Sequence, residues 1–245
     1  MSSISRQVHF CEGEAGRETA VQIIKQKIRN QRGLLLSKSQ NAKRADYAPL
    51  QKSIKDSGAY LEGVANSLEP SAGKIFLAEA RASKAYWKTF GLLVNEPAWH
   101  RLPRVRGDIV NTFLDIGYHM LFQKIEVLTR DVGLTPEIGF LHSEGTSLPL
   151  IFDFAELWRQ PIVDFCVLKF LRRHKLRIDE NDDHITRVCA EIKQRIEQKT
   201  VRYKKECVRM EWVMRRELIG LRESMLKNIA WLPFKYPWGR SRYCK

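Results

Sequence analysis

The stretch EAGRETAVQIIKQKIRNQRGLLL, residues 14–36, places Val21, Ile24 and Ile28 three and four residues apart, the spacing that stacks side chains on one face of an α-helix. Asp46 to Leu68 repeats the pattern with Leu50, Ile54, Tyr60 and Val64. Further helices are expected from Ala72 to Val94, entered through Pro70 and Ser71, and from Asp108 to Asp131, closed by Gly133 as a C-cap glycine. Pro136, Gly139, Gly145 and Pro149 then punctuate a loop that no helix crosses. Leu150 to Arg173 is helical again, with Pro161 kinking or dividing it. After an acidic turn at Asp179 to Asp183, a long basic helix is expected from His184 to Lys227, and then an irregular tail from Trp231 to Lys245. No alternating strand pattern, Asn-Gly hairpin signal or internal repeat stands out. The fold class is therefore all-α: a short lead-in over residues 1–15 and one helical domain over 16–245 that ends in a long basic C-terminal helix.

With 245 residues and 44% hydrophobic content, the chain can bury a sizeable core and is not compositionally disordered. No apolar run approaches the roughly 18 residues of a membrane span. The N-terminus lacks a secretory apolar region. The five cysteines lie far apart, without a CxxC pair, which favours reduced thiols in a cytoplasmic protein. Lys and Arg number 42 against 28 Asp and Glu, a net charge of +14. From Lys169 onward there are 21 basic and 10 acidic residues, so most of the excess sits in the last third. Such an excess favours polyanionic partners, nucleic acid first and an anionic membrane surface second.

Candidate chemistry concentrates in PEIGFLHSEGTSLPLIFDFAELWR, residues 136–159. His142 follows an apolar run, and Asp153 and Glu156 share one helical face among apolar neighbours, where an unpaired carboxylate is costly. Glu79 lies in the equally apolar segment FLAEARASKAYW. Two carboxylates and an imidazole suit Mg²⁺ or Mn²⁺, the imidazole tilting the choice toward Mn²⁺. By spacing alone, an ordinary histidine and an ordinary helix face are the commoner outcomes.

Four segments, EARASKAYW from Glu79, DIVNTFLDIGY from Asp108, GLTPEIGFLH ending at His142 and FDFAELWRQPIVD from Phe152, stand in the order and spacing of the CRISPR-associated integrases, the metal-dependent nucleases of spacer acquisition. The chain resembles that family over most of its length. The resemblance implies that Glu79, His142 and Glu156 are metal ligands, with Asp153 a further catalytic acid. Many relatives have aspartate where Glu156 stands, and glycine where Ala80 follows Glu79. Asn111 is a candidate for orienting a ligand, and Lys84, Arg104, Arg106 and Arg159 are candidates for phosphate contacts.

The resemblance further implies insertion of short DNA fragments into a CRISPR repeat array. A DNA 3′-hydroxyl attacks a phosphodiester with Mg²⁺ or Mn²⁺ as cofactor, and endonuclease activity is the same chemistry run with water. Its implied partners are double-stranded DNA, as prespacer and repeat, further copies of the chain in a homo-oligomer, and a small companion subunit. No membrane partner is implied. Relatives place a β-strand lobe before the helical one, whereas here about 15 residues precede the first expected helix, so that lobe is expected to be missing. Two alternatives stay open: a transposase-like integrase of a mobile element, and a catalytically silent nucleic-acid-binding scaffold. The latter would bind DNA with steep salt dependence but without regard to the ligands.

Overall fold

Ile23, Ile24, Ile28, Leu34 and Leu35 are wholly buried, and the chain builds around the helix that carries them. In a computed structural model that describes residues 2–39, 48–69, 71–103, 107–142, 146–175 and 184–238, this helix is α2 (Glu14–Ser39). It packs on α3 (Ala48–Asn66) and α4 (Ala72–Leu93), which also pack on each other. The second half is arranged on α5 (Ile109–Asp131), which touches α6 (Pro149–Ala155), α7 (Phe165–His174), α8 (Ile185–Glu197) and α9 (Met210–Lys227). The expected all-α class holds, and the functional elements lie where the halves meet.

The caps explain the limits of α5. The Asp108 side chain accepts from the Asn111 amide at 2.8 Å, supplying one of the bonds that the first turn cannot make internally. At the other end Gly133 takes φ +74°, a conformation that costs a residue without Cβ little, and its amide closes on Arg130 O.

Pro161 divides the apolar stretch after residue 149, as expected. Having no N–H, it sits in a widened π turn, Arg159–Asp164, in which the Phe165 amide reaches back five residues to Gln160 O. This turn touches α2, α5, α7 and α8 and is buried over most of its length.

Three expectations change. The lead-in is mostly helix: α1 (Ser3–Glu12) is capped by the Ser2 side chain and buries Phe10 and Gln7. The single basic helix from 184 to 227 is instead α8 and α9, separated by a hairpin of β1 (Thr200–Tyr203) and β2 (Glu206–Arg209). Thr200, Val201, Tyr203 and Val208 favour extended backbone, Val201 pairs with Val208 and is buried, and Lys204 takes the left-handed conformation at the turn. Finally, Cys207 is disulfide-bonded rather than reduced, while Cys11 and Cys166 are free thiols. The acidic turn at 179–183 lies outside the described residues.

From 229 to 238 the chain is irregular, and it folds back on the first helices. The Trp231 amide donates to Thr19 Oγ1 at 3.0 Å, and Trp238 Nε1 to Asn30 Oδ1 at 3.2 Å. Arg6 Nη1 meets Leu226 O at 3.1 Å. Among the described residues, no helix is long and apolar enough to cross a membrane.

Candidate active site

The buried face of α2 is interrupted by a polar seam of Gln26, Lys27, Asn30 and Gln31. Buried polar groups need partners, and Lys27 and Asn30 find theirs across the junction. Gln26 Nε2 donates to Asn30 Oδ1 at 3.0 Å, and Asn30 Nδ2 to Leu157 O at 2.9 Å. Lys27 Nζ lies 2.5 Å from Glu79 Oε1, brought by the middle of α4, and 2.6 Å from Glu156 Oε2, in the turn after α6. Glu156 Oε1 faces Arg159 Nη1 at 2.8 Å. The Glu156 and Lys27 side chains are 1% and 5% exposed and Glu79 is 19% exposed, so water reaches the cluster from the Glu79 side.

Charge balance holds Glu156, Lys27 and Arg159 in their ionised forms. Burial pushes the Glu156 carboxyl up, but Arg159, Lys27 and His142 outweigh it and hold the group below its ordinary range. Burial pulls Lys27 down, and Glu156 with Glu79 more than reverses that. Arg159 follows the same rule: burial opposes its charge and Glu156 restores it.

His142 stands on the loop before α6, which is tied to one carboxylate. Asp153, fully buried on α6, accepts from the amides of Phe140 (2.8 Å), Leu141 (3.1 Å) and His142 (2.9 Å). It also meets His142 Nδ1 at 2.8 Å. A carboxylate only accepts, so the proton of this contact belongs to Nδ1 and the other ring nitrogen, Nε2, is left for another partner. A Cβ on Gly139 would lie 2.7 Å from Asp153 Oδ2, so the loop can run this close to α6 only with glycine there. Burial alone would lower the His142 pKa; the Asp153 hydrogen bond and the charges of Glu156, Asp153 and Glu79 raise it instead.

Above the two carboxylates opens a cleft of about 640 Å³ lined by Lys27, Glu79, Arg101, Tyr118, Phe122 and Arg159, among others. Arg159 lies 5.2 Å from the Tyr118 ring centroid and 5.4 Å from that of Phe122. Arg101 is held by Asp115 and, at 2.7 Å, by Asn111 Oδ1. Beneath the cleft, Tyr86 and Tyr118 donate to the two oxygens of buried Asp164 at 2.7 and 2.6 Å. Burial raises the Asp164 pKa against the pull of both phenols.

Of the expected site residues, Glu79 and Glu156 come together, with Arg159 as the counter-ion of Glu156, and Asp153 orients His142. Asn111 is buried, but its bonds go to Asp108, His100, Leu102 and Arg101, so it anchors the approach to α5 and an arginine of the cleft. Lys84 is exposed on α4, and Arg104 and Arg106 lie outside the described residues. Sequence reasoning missed Lys27, Arg101 and Asp164. Lys27 carried a signal: it stands three and four residues after Ile24 and Ile23, on the stripe that the helix buries.

Among the described residues, no three His, Cys, Asp or Glu side chains converge as a ready-made metal group. Glu79 and Glu156 converge on an ammonium, and His142 on Asp153. The same residues nevertheless fit a divalent ion exchanged for that ammonium. Both Glu156 oxygens are buried without a well-aligned hydrogen bond, so only cations hold them, and a cation position already exists between the carboxylates. Carboxylate oxygens with one imidazole nitrogen form a donor set of the kind that holds Mg²⁺ or Mn²⁺.

A profile of the family described as CRISPR associated protein Cas1 matches residues 2–200. The chain belongs to the Cas1 family. A CRISPR-associated endonuclease Cas1 of Archaeoglobus fulgidus is 30% identical over 183 residues, covering 67% of this chain and 52% of the relative. One from Thermus thermophilus is 39% identical over 98 residues, covering 39% and 31%. The chain thus spans about half, or less, of the length of these two Cas1 relatives. Its fold is shared with a casposase bound to an integration product, at TM-score 0.74 and 21% identity, covering 97% of this chain and 68% of that one. It is also shared with a Cas1 protein from Thermotoga maritima, at TM-score 0.72 and 20% identity, covering 94% and 74%.

Proposed function

We propose that this chain is the helical catalytic unit of a Cas1 integrase, a metal-dependent DNA endonuclease that inserts short DNA fragments into a CRISPR repeat array. The observation that carries this reading is the meeting of Glu79 and Glu156 around one buried cation position at the base of an open cleft, in a Cas1-family chain. Glu79, Glu156 and His142 Nε2 would hold Mg²⁺ or Mn²⁺, which when bound polarises the attacked phosphate and lowers the pKa of the attacking 3′-hydroxyl.

The chain's own groups do the rest. Asp153 fixes the His142 ring, so that little reorganisation is needed at the centre. Arg159 and Arg101 present guanidinium groups to phosphate oxygens, each already oriented by a carboxylate and lying over the Tyr118 ring. Along the duplex, backbone contacts fall to basic side chains such as Lys84 and the group Lys38, Lys169 and Arg172. The partners in this reading are prespacer and repeat DNA, further copies of the chain and a small companion subunit. The shared fold with a chain of a Cas6-RT-Cas1–Cas2 complex supports the last, at TM-score 0.75 and 18% identity.

Incubation with Mn²⁺, a supercoiled repeat-bearing plasmid and a short labelled duplex tests the proposal. Label transfer or nicking is expected from the wild type and should fall at least about 100-fold in Glu79→Ala, the scale of loss when a group that stabilises the transition state is removed. Equal activity in both proteins would overturn it.

A further inference from the structure

Resting on that metal-dependent reading, we propose that Lys27 is a positioning residue, an internal counter-cation that keeps Glu79 and Glu156 facing each other until a divalent ion takes its place between them. Its Nζ is 2.5 Å from one carboxylate and 2.6 Å from the other, a separation that leaves no space for a second cation. Without it, two carboxylates would face each other across a site that water reaches only from the Glu79 side, with Arg159 engaging only the far oxygen of Glu156. Glu79, Glu156, Lys27 and Arg159 sum to zero charge, so the empty centre is neutralised by the protein itself.

A divalent ion between the carboxylates adds two positive charges to that sum, the ammonium moving aside within the site rather than leaving it. Lys27 lines the cleft that also holds Arg101 and Arg159, and this is the open direction for its flexible stem. Released there, the ammonium joins two guanidinium groups where a DNA phosphate would lie. Metal loading thereby turns a self-neutralised site into a cationic one, coupling occupancy of the centre to its grip on DNA.

Lys27→Met removes the competing charge while keeping a side chain of similar length, and Lys27→Arg keeps a cation. Mn²⁺ binding measured by calorimetry, without DNA, should be about tenfold tighter in Lys27→Met and close to wild type in Lys27→Arg. Mn²⁺ binding to Lys27→Met that is no tighter than to the wild type overturns the proposal. Should Lys27→Met not fold, the wild type decides: an amine-acylating reagent should label Lys27 slowly without metal and several-fold faster with Mg²⁺. An unchanged labelling rate overturns the proposal. Failure of Mn²⁺ to bind any of the three proteins overturns the metal-dependent reading itself, and this inference with it.

Discussion

Two of the lysines on helix α2, Lys27 and Lys38, stand about three turns apart, and their surroundings are opposite. Lys27 lies between Glu79 and Glu156, which hold its charge in place against burial. Lys38 is pressed 4.3 Å from the ring centroid of Phe165, while burial and the positive charges of Arg172, Arg195 and Lys169 push it down to about 8. Arg195 crowds the same ring, 3.8 Å from its centroid. The middle of the helix is neutral on its own; its C-terminal end gathers like charges at a cost to stability. The contrast separates a centre that organises itself from a face whose charges are best satisfied by a polyanion.

The contrast breaks first at Lys27. Lys27→Met should lower stability by about 3 kcal/mol in metal-free buffer, since removing one partner leaves buried charge uncompensated. Denaturant unfolding measures this, and a loss below about 1 kcal/mol would mean that the carboxylates relax without their lysine. Lys38→Met should act in the other direction. The folded-state pKa of Lys38 is depressed to about 8 from an ordinary 10.5, so between these values the unfolded state binds more protons and stability rises with pH. At pH 7 the full cost of the charged lysine is present, and removing it should stabilise the protein by roughly 1–2 kcal/mol, less whatever the lost contact with Phe165 contributed. The gain should fade above about pH 8 and be gone past about pH 10.5; a constant gain across that range would place its cause in packing rather than charge. The smallest effect is ionic. Raising salt from about 0.05 to about 0.5 M should favour the wild type over Lys38→Met by about 0.5 kcal/mol, because screening relieves the crowding around Lys38 alone.

How far these features could be read in advance depended on the range of the interaction. α2, α4 and α5 follow from apolar residues repeating at helical spacing, and Pro161 announced its break, because these signals are local. The hairpin escaped notice because each strand has four residues, too few to show alternation inside a basic stretch, and its turn is Lys204-Lys205 rather than glycine. Glu79, His142, Asp153 and Glu156 stood out as polar groups in apolar segments, but only family resemblance joined them as one set, since no spacing rule relates α4 to the turn after α6. What the resemblance did not supply was the pairing. Asp153 holds the His142 loop through several hydrogen bonds, and Lys27, on a stripe that looks merely hydrophobic, stands between the two glutamates. Asn111, a candidate for orienting a ligand, bonds to the N-terminus of α5 and to Arg101.

The return of the chain onto its first helices has a consequence for synthesis. Trp238 bonds to Asn30 across 208 residues, and Trp231 to Thr19 across 212. Asn30 belongs to the same seam as Lys27, one turn away on α2. At ribosomal speeds of about 5–20 residues per second, roughly 10–40 s separate the emergence of Asn30 from that of its indole partner. During that interval α2 offers the cell a helix with an unfinished polar seam. Until then chaperones and proteases meet that seam uncovered, on the helix from which the candidate active site will be built.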